Sequence, residues 1–189
     1  MAESAEAPRR LAAVVVPIFA NAPHEVVFVE RARHLRRHAG QIAFPGGAVD
    51  DEDCGDHARA ALRELYEEIG IAATSVAIVG QLDPIRQERN VFNVTPFVAV
   101  VAPDTPLIVD LNEASAAYRV PLAATLQPGA VHPGIEVVGD RRIETTVFDY
   151  GSMHVWGLTG HILDAFVRRF HRAGSPLRAA LEERLLTDS

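Results

Sequence analysis

The chain has 189 residues, 48% of them hydrophobic and 23% charged, a balance typical of globular domains and far from the charge-rich composition of disorder. With 18 basic against 25 acidic residues the net charge is −7, which excludes a non-specific nucleic-acid binder working through a basic field. Such a length suits one domain, able to bury about 70% of its unfolded surface; the single cysteine, Cys54, makes no internal disulfide and points to a reducing, cytoplasmic location.

Residues 1–10 read as a disordered tail and 11–189 as a single domain. The apolar run 11–20 follows Arg9 and Arg10 as the core of a signal peptide would, but Pro17 interrupts it. It is also shorter than the ~20 residues that span a bilayer, and Val14, Val15, Val16 and Ile18 continue it in the manner of a strand. The β-rich runs 12–19 and 25–30 predict a hairpin across Asn21, Ala22 and Pro23. An arginine-dense connector carries Arg31, Arg33, Arg36 and Arg37, followed by residues 41–44 and the breaker Pro45-Gly46-Gly47. The acidic stretch 50–53 leads into a helix expected over 56–69 and stopped by Gly70. Further strands are expected over 76–82, 91–101, 143–150 and 153–156, with a short helix starting near Asn112. Ile162, Leu163, Phe166, Val167 and Phe170 recur at helical spacing and predict a last amphipathic helix. Strands mixed with two or three helices imply a sheet covered on both faces.

The helix over 56–69 carries the chemistry. At about 100° per residue, Ala58, Leu62, Leu65 and Ile69 share one stripe, while Glu64, Glu67 and Glu68 share a different face. Glu64 and Glu68 are a like-charged i,i+4 pair, costing about 0.3 kcal/mol. Glu67 and Glu68 also sit in the last turn, where the helix dipole disfavours each anion by roughly 0.3–1 kcal/mol. Arg63 relieves one carboxylate at i+4, and a divalent cation taking oxygen ligands reverses the sign for the whole cluster. Three glutamates alone also describe a solvated helix face. What sets these apart is the string from Gly46-Gly47 through Arg63-Glu64-Leu65-Tyr66-Glu67-Glu68-Ile69-Gly70-Ile71, in which a glycine bend delivers the acidic helix.

That string resembles the box of the Nudix hydrolases, G-x5-E-x7-R-E-U-x-E-E-x-G-U with U apolar. Arg63, Glu64, Leu65, Glu67, Glu68, Gly70 and Ile71 match its second half. The first half departs from it: 16 steps separate Gly47 from Arg63 where the box has 14, and the position of its first glutamate falls on Gly55. Asp53 and Asp56 are the two candidates to substitute. Upstream, Arg31-Ala32-Arg33-His34-Leu35-Arg36-Arg37-His38-Ala39-Gly40-Gln41-Ile42-Ala43-Phe44-Pro45-Gly46-Gly47 is similar to the signature of the coenzyme A pyrophosphatase branch, with Ala32 in place of the usual serine. The likeness continues through Val94-Thr95-Pro96-Phe97, the segment from Asn112-Glu113 to Pro121-Leu122, and Trp156-Gly157-Leu158-Thr159.

The resemblance implies an α/β/α sandwich with a mixed β-sheet flanked by helices, and a pyrophosphohydrolase using Mg2+ or Mn2+. It implies Glu64, Glu67 and Glu68 as metal ligands, and Arg63 orienting a carboxylate. One of the helix glutamates, or Glu113, would take the proton from water; Glu113 also reads as an acid favoured by a helix dipole. Arg31, Arg36, His38, Gln41, Gly46 and Gly47 are the candidate substrate contacts. Arginine pairs bidentately with phosphate, although each of these arginines also reads as a solvated residue. A lone histidine such as His38 is more often structural than catalytic. Arg86 and Arg89 sit in a loop that reads as a lid or as ordinary surface. The implied substrate is coenzyme A or a derivative, cleaved to adenosine 3′,5′-bisphosphate and 4′-phosphopantetheine. ADP-ribose, a dinucleotide, an oxidised nucleotide, or a catalytically silent nucleotide-binding module remain alternatives. The expected partner is this small molecule, without nucleic acid or membrane, and a homodimer is left open.

Overall fold

The computed structural model describes residues 10–87 and 92–187. In chain order it runs β1 (Arg10–Phe19), β2 (Glu25–Arg31), β3 (Ile42–Ala43), β4 (Gly46–Ala48), α1 (His57–Ile69), β5 (Val76–Gln81), β6 (Ile85–Gln87) and β7 (Phe92–Val101). The second half runs β8 (Ala114–Pro121), α2 (Leu122–Thr125), β9 (Val131–Val138), β10 (Arg141–Tyr150), β11 (Met153–Val155), α3 (Gly157–His171) and α4 (Pro176–Thr187). The expected disordered tail over 1–10 falls, but for Arg10, outside the described residues; Arg10 begins β1.

The main sheet has the order β3-β2-β1-β7-β5, with β4 also on β1, β6 on β7 and β8 on β2. It is mixed: β1 and β7 are parallel from Arg10↔Phe92 to Phe19↔Val101, and the other pairings are antiparallel. The hairpin forms, with Ile18 opposite Val26. β1 is almost continuously apolar because it is covered on both faces. Val14, Val16 and Ile18 join Phe28, Phe148, Ile162 and Phe166 on one side. Ala13, Val15 and Phe19 meet Ala60, Ala61, Leu65 and Ile69 of α1 on the other. Each fully buried Leu, Ile or Phe stabilises the layers by about 1.5–3 kcal/mol. A second sheet, β11-β10-β9, packs with α3 and α4 over the first of these faces.

Three differences from expectation have physical causes. The helix expected near Asn112 is a turn followed by β8: Asp110 Oδ1 accepts from the Asn112 amide and from its Nδ2, and the weakly biased segment after it is pulled into strand by β2. Strand β9 pairs with β10 over eight positions, although its Pro133 and Gly134 give little strand signal. Helix α4 has a signal in the sequence: Ser175, whose Oγ accepts from the Arg178 amide, then Pro176 at the first helical position, then buried Leu177, Leu181 and Leu185 at four-residue spacing. Among the described residues no helix is long and apolar enough to cross a membrane.

Candidate active site

α1 begins where Asp56 accepts from the Ala58 and Arg59 amides at 2.9 and 3.2 Å, and ends at Gly70 with φ 72°. Asp56 is therefore the cap of the helix. Of the two candidates to substitute for the box glutamate, Asp53 is the one that pairs with Arg63. A tight turn over Asp51–Asp53 is followed by left-handed Cys54 and Gly55, and this compact detour absorbs the two extra residues. Asp53 is wholly buried.

Arg63 organises everything around it. Its Nε and Nη2 donate to the two Asp53 oxygens at 3.1 and 3.0 Å, and Nη2 also donates to the Ala48 carbonyl at 3.0 Å. Nη1 donates to Glu64 at 3.0 Å and Glu67 at 2.8 Å. All five guanidinium N–H groups are thus used. The guanidinium holds the Asp53 carboxyl below its ordinary range, and Asp53 in turn raises the Arg63 pKa.

The carboxylates divide differently from their sequence spacing. Glu64, Glu68 and Glu113 each offer an oxygen, all within 4.8 Å of one another. Glu67, half exposed, turns to Arg63 instead. Glu68 does not lie on a solvated face: it is 1% exposed, and burial pushes its pKa up to about 8. Burial likewise raises the Glu64 pKa, against the lowering by Arg63. Among the described residues, the Gly46 amide at 3.3 Å and Arg31 Nη1 at 3.6 Å face Glu68.

The glycine bend is sterically specified. A Cβ on Gly46 would lie 2.5 Å from the Ala13 carbonyl oxygen and 2.6 Å from the Val14 Cα, and one on Gly47 would run into the Glu64 carboxylate. β4 can therefore lie between β1 and the carboxylates only because its first two residues carry no side chain. The basic connector is folded back on itself: the Arg31 amide donates to Gln41 O at 3.0 Å, the Gly40 amide to Arg31 O at 2.9 Å, and His38 Nδ1 meets Gln41 Oε1 at 2.8 Å. His38 and Gln41 thus hold each other, whereas Arg31 reaches the carboxylates. Arg36 and Arg37 are exposed. Arg86 is exposed on β6, and Arg89 lies outside the described residues.

Three carboxylates converging on one point, one of them buried with its charge poorly compensated, form an oxygen donor set suited to a hard divalent cation. A NUDIX domain model matches residues 8–138. The chain belongs to the Nudix family. It is 41% identical over 155 residues to the Nudix hydrolase NudL of Escherichia coli, whose name describes it as uncharacterized, covering 82% of this chain and 79% of that protein. The same figures hold for NudL of Escherichia fergusonii. Among solved structures it is similar to a MutT/nudix family protein from Enterococcus faecalis, with TM-score 0.58, 19% identity and coverage of 99% of this chain and 75% of that one. A NUDIX hydrolase from Alicyclobacillus acidocaldarius gives TM-score 0.52 and 23% identity over 62% of this chain and 81% of that one. The Nudix assignment makes the protein a pyrophosphohydrolase of the α/β fold expected from its sequence. Sequence reasoning named Asp53 only as one of two candidates. The deciding signal, its bidentate pairing with Arg63, exists only in three dimensions.

Proposed function

We propose that this Nudix protein hydrolyses the diphosphate bridge of coenzyme A or its derivatives, releasing adenosine 3′,5′-bisphosphate and 4′-phosphopantetheine. The observation that carries this reading is Arg31. One guanidinium nitrogen lies 3.6 Å from the buried Glu68, and among the described residues the buried Nε has no hydrogen-bond partner, so the basic connector places an unused donor beside the carboxylates. A buried donor left unmade is costly, and a phosphate oxygen would satisfy it.

Glu64, Glu68 and Glu113 are the residues that would hold Mg2+ or Mn2+. When bound, such an ion neutralises diphosphate charge and acidifies water. Arg63 keeps the Glu64 carboxylate in place, and Gly46 and Gly47 let the backbone approach. Glu67, on the rim of the same helix, is the carboxylate left to complete the ligand set or to accept the proton of the attacking water. The water oxygen bonds to one phosphorus, the bridging P–O bond breaks, and the departing phosphate keeps the electron pair. Arg36, with His38 and Gln41 shaping its loop, would take the further phosphates of the substrate; coenzyme A carries a 3′-phosphate besides its diphosphate, which suits several arginines in seven residues.

Incubation of the pure protein with coenzyme A and Mg2+ or Mn2+, with products resolved by mass, is expected to yield the two named fragments. Intact coenzyme A alongside consumed ADP-ribose or dinucleotide would overturn the substrate. Nucleotide binding without turnover of any of them would indicate a silent module.

A further inference from the structure

We infer that His34 is a positioning residue that sets Glu113 within the carboxylate cluster. Glu64 and Glu68 project from a helix whose backbone fixes them, but Glu113 comes from an irregular segment, and its position depends on what holds that segment. On one side the segment is tied to α1: the Asp110 amide donates to the Glu68 carbonyl at 3.0 Å, and the Glu113 amide donates back to the Asp110 carbonyl at 3.0 Å. On the other side it is tied to the basic connector. The Ala32 amide donates to the Glu113 carbonyl at 2.9 Å, and His34 Nε2 donates to the Asn112 carbonyl at 3.0 Å. The two successive carbonyls flanking the Glu113 Cα are thus both held by the turn 32–35, itself closed by the Leu35 amide on the Ala32 carbonyl. Of these two tethers the His34 ring is the one made by a side chain.

The consequence is mechanical. Freeing the Asn112 carbonyl leaves the peptide before Glu113 held on its amide side alone, by the Asp110 carbonyl, and the Glu113 carboxylate then spends less time near Glu64 and Glu68. Among the described residues the bond that the His34 side chain makes is to the Asn112 carbonyl and not to a carboxylate of the cluster, so its effect passes through the backbone of Glu113. Groups that orient a ligand in this way typically change metal affinity by 10- to 100-fold when removed. A single tether among several belongs at the lower end of that range.

This inference rests on the reading of Glu64, Glu68 and Glu113 as ion-holding groups, and the test separates the two. Mn2+ affinity is measured by electron paramagnetic resonance on the full chain for the parent and for His34→Ala, His34→Gln, Glu113→Gln, Glu68→Gln and the double variant His34→Ala/Glu113→Gln. His34→Ala is expected to weaken Mn2+ binding by about tenfold, and His34→Gln, whose amide can donate to the same carbonyl, to recover most of the loss. In the Glu113→Gln background, His34→Ala is expected to add less than about twofold, because the group it positions has already lost its charge. Parent-like binding by His34→Ala, independent multiplication of the two losses, or failure of His34→Gln to restore binding would each overturn the role of His34. If Glu68→Gln abolishes binding while any of those results is found, the His34 inference alone falls. If Glu68→Gln and Glu113→Gln both bind Mn2+ as the parent does, the carboxylate reading falls with it.

Discussion

Asp53→Asn removes the negative partner from the most enclosed ion pair near the site while keeping the side chain's size. Asp53 is wholly buried and accepts three hydrogen bonds, two from Arg63 at 3.0 and 3.1 Å and one from the Asp50 amide at 2.9 Å. An asparagine amide offers one acceptor oxygen, and its NH2 must face another donor. Breaking a buried pair by neutralising one member typically costs about 3–5 kcal/mol. Arg63 is 16% exposed and keeps Glu64, Glu67 and the Ala48 carbonyl, which places the loss at the lower end, about 3 kcal/mol. For a chain of this size that corresponds to a drop in Tm of roughly 6–12 °C. Urea unfolding should show a lower midpoint at an unchanged slope. Glu52→Gln is the control: that carboxylate is 66% exposed and 3.7 Å from Arg63, so its loss should cost under about 0.5 kcal/mol. The pH dependence has a definite sign. Arg63 depresses the folded-state pKa of Asp53, so its contribution is complete above the unfolded value near ~4 and disappears as pH falls through the lower folded value. The difference between parent and variant should close under acid conditions. A loss below about 1 kcal/mol at pH 7, or an equal loss for Glu52→Gln, would refute this account of the pair.

The glycine bend should separate folding from ion binding. Gly46→Ala drives a methyl into the Ala13 and Val14 backbone of β1 and should lower Tm, whereas Gly47→Ala meets the end of the Glu64 side chain and should weaken Mn2+ binding with little change in Tm. Glu68→Gln should abolish Mn2+ binding while leaving the Tm of the metal-free protein at or above the parent's. The burial that raises the Glu68 pKa is a penalty on charge that a neutral amide escapes. On the second sheet, His154 meets Asp149 at 2.6 Å and Glu136 at 2.8 Å, and these carboxylates raise its pKa. Its stabilisation relative to His154→Gln should be complete below the unfolded value near ~6.5 and fade as pH climbs through the raised folded value. Its partial exposure keeps the effect below about 1 kcal/mol, readable as a pH-dependent gap between the two unfolding midpoints.

The sequence by itself determined whatever is decided within a few residues. Helix α1 was legible from its apolar spacing, its Asp56 start and its Gly70 stop, because capping and periodicity act over one or two turns. The two central strands showed as valine-rich runs, and Gly46-Gly47 with Arg63 to Ile71 showed as a motif. Tertiary structure decided what depends on partners distant in the chain. Residues 114–121 became β8 because β2 offered an edge to pair with, and backbone pairing outweighs the weak local preference of an alanine-rich segment. Asp53 rather than Asp56 took the place beside Arg63 because left-handed Cys54 and Gly55 turn the chain back toward α1. Glu68 differs from Glu67 by one position on the helix, yet one is buried beside Gly46 and Arg31 while the other lies on the rim. A step of about 100° is enough to separate them, since a helix packed on a sheet presents one face to the low-dielectric interior and the next to water. Glu113, 45 residues downstream of Glu68, joins them through turns that no local rule encodes.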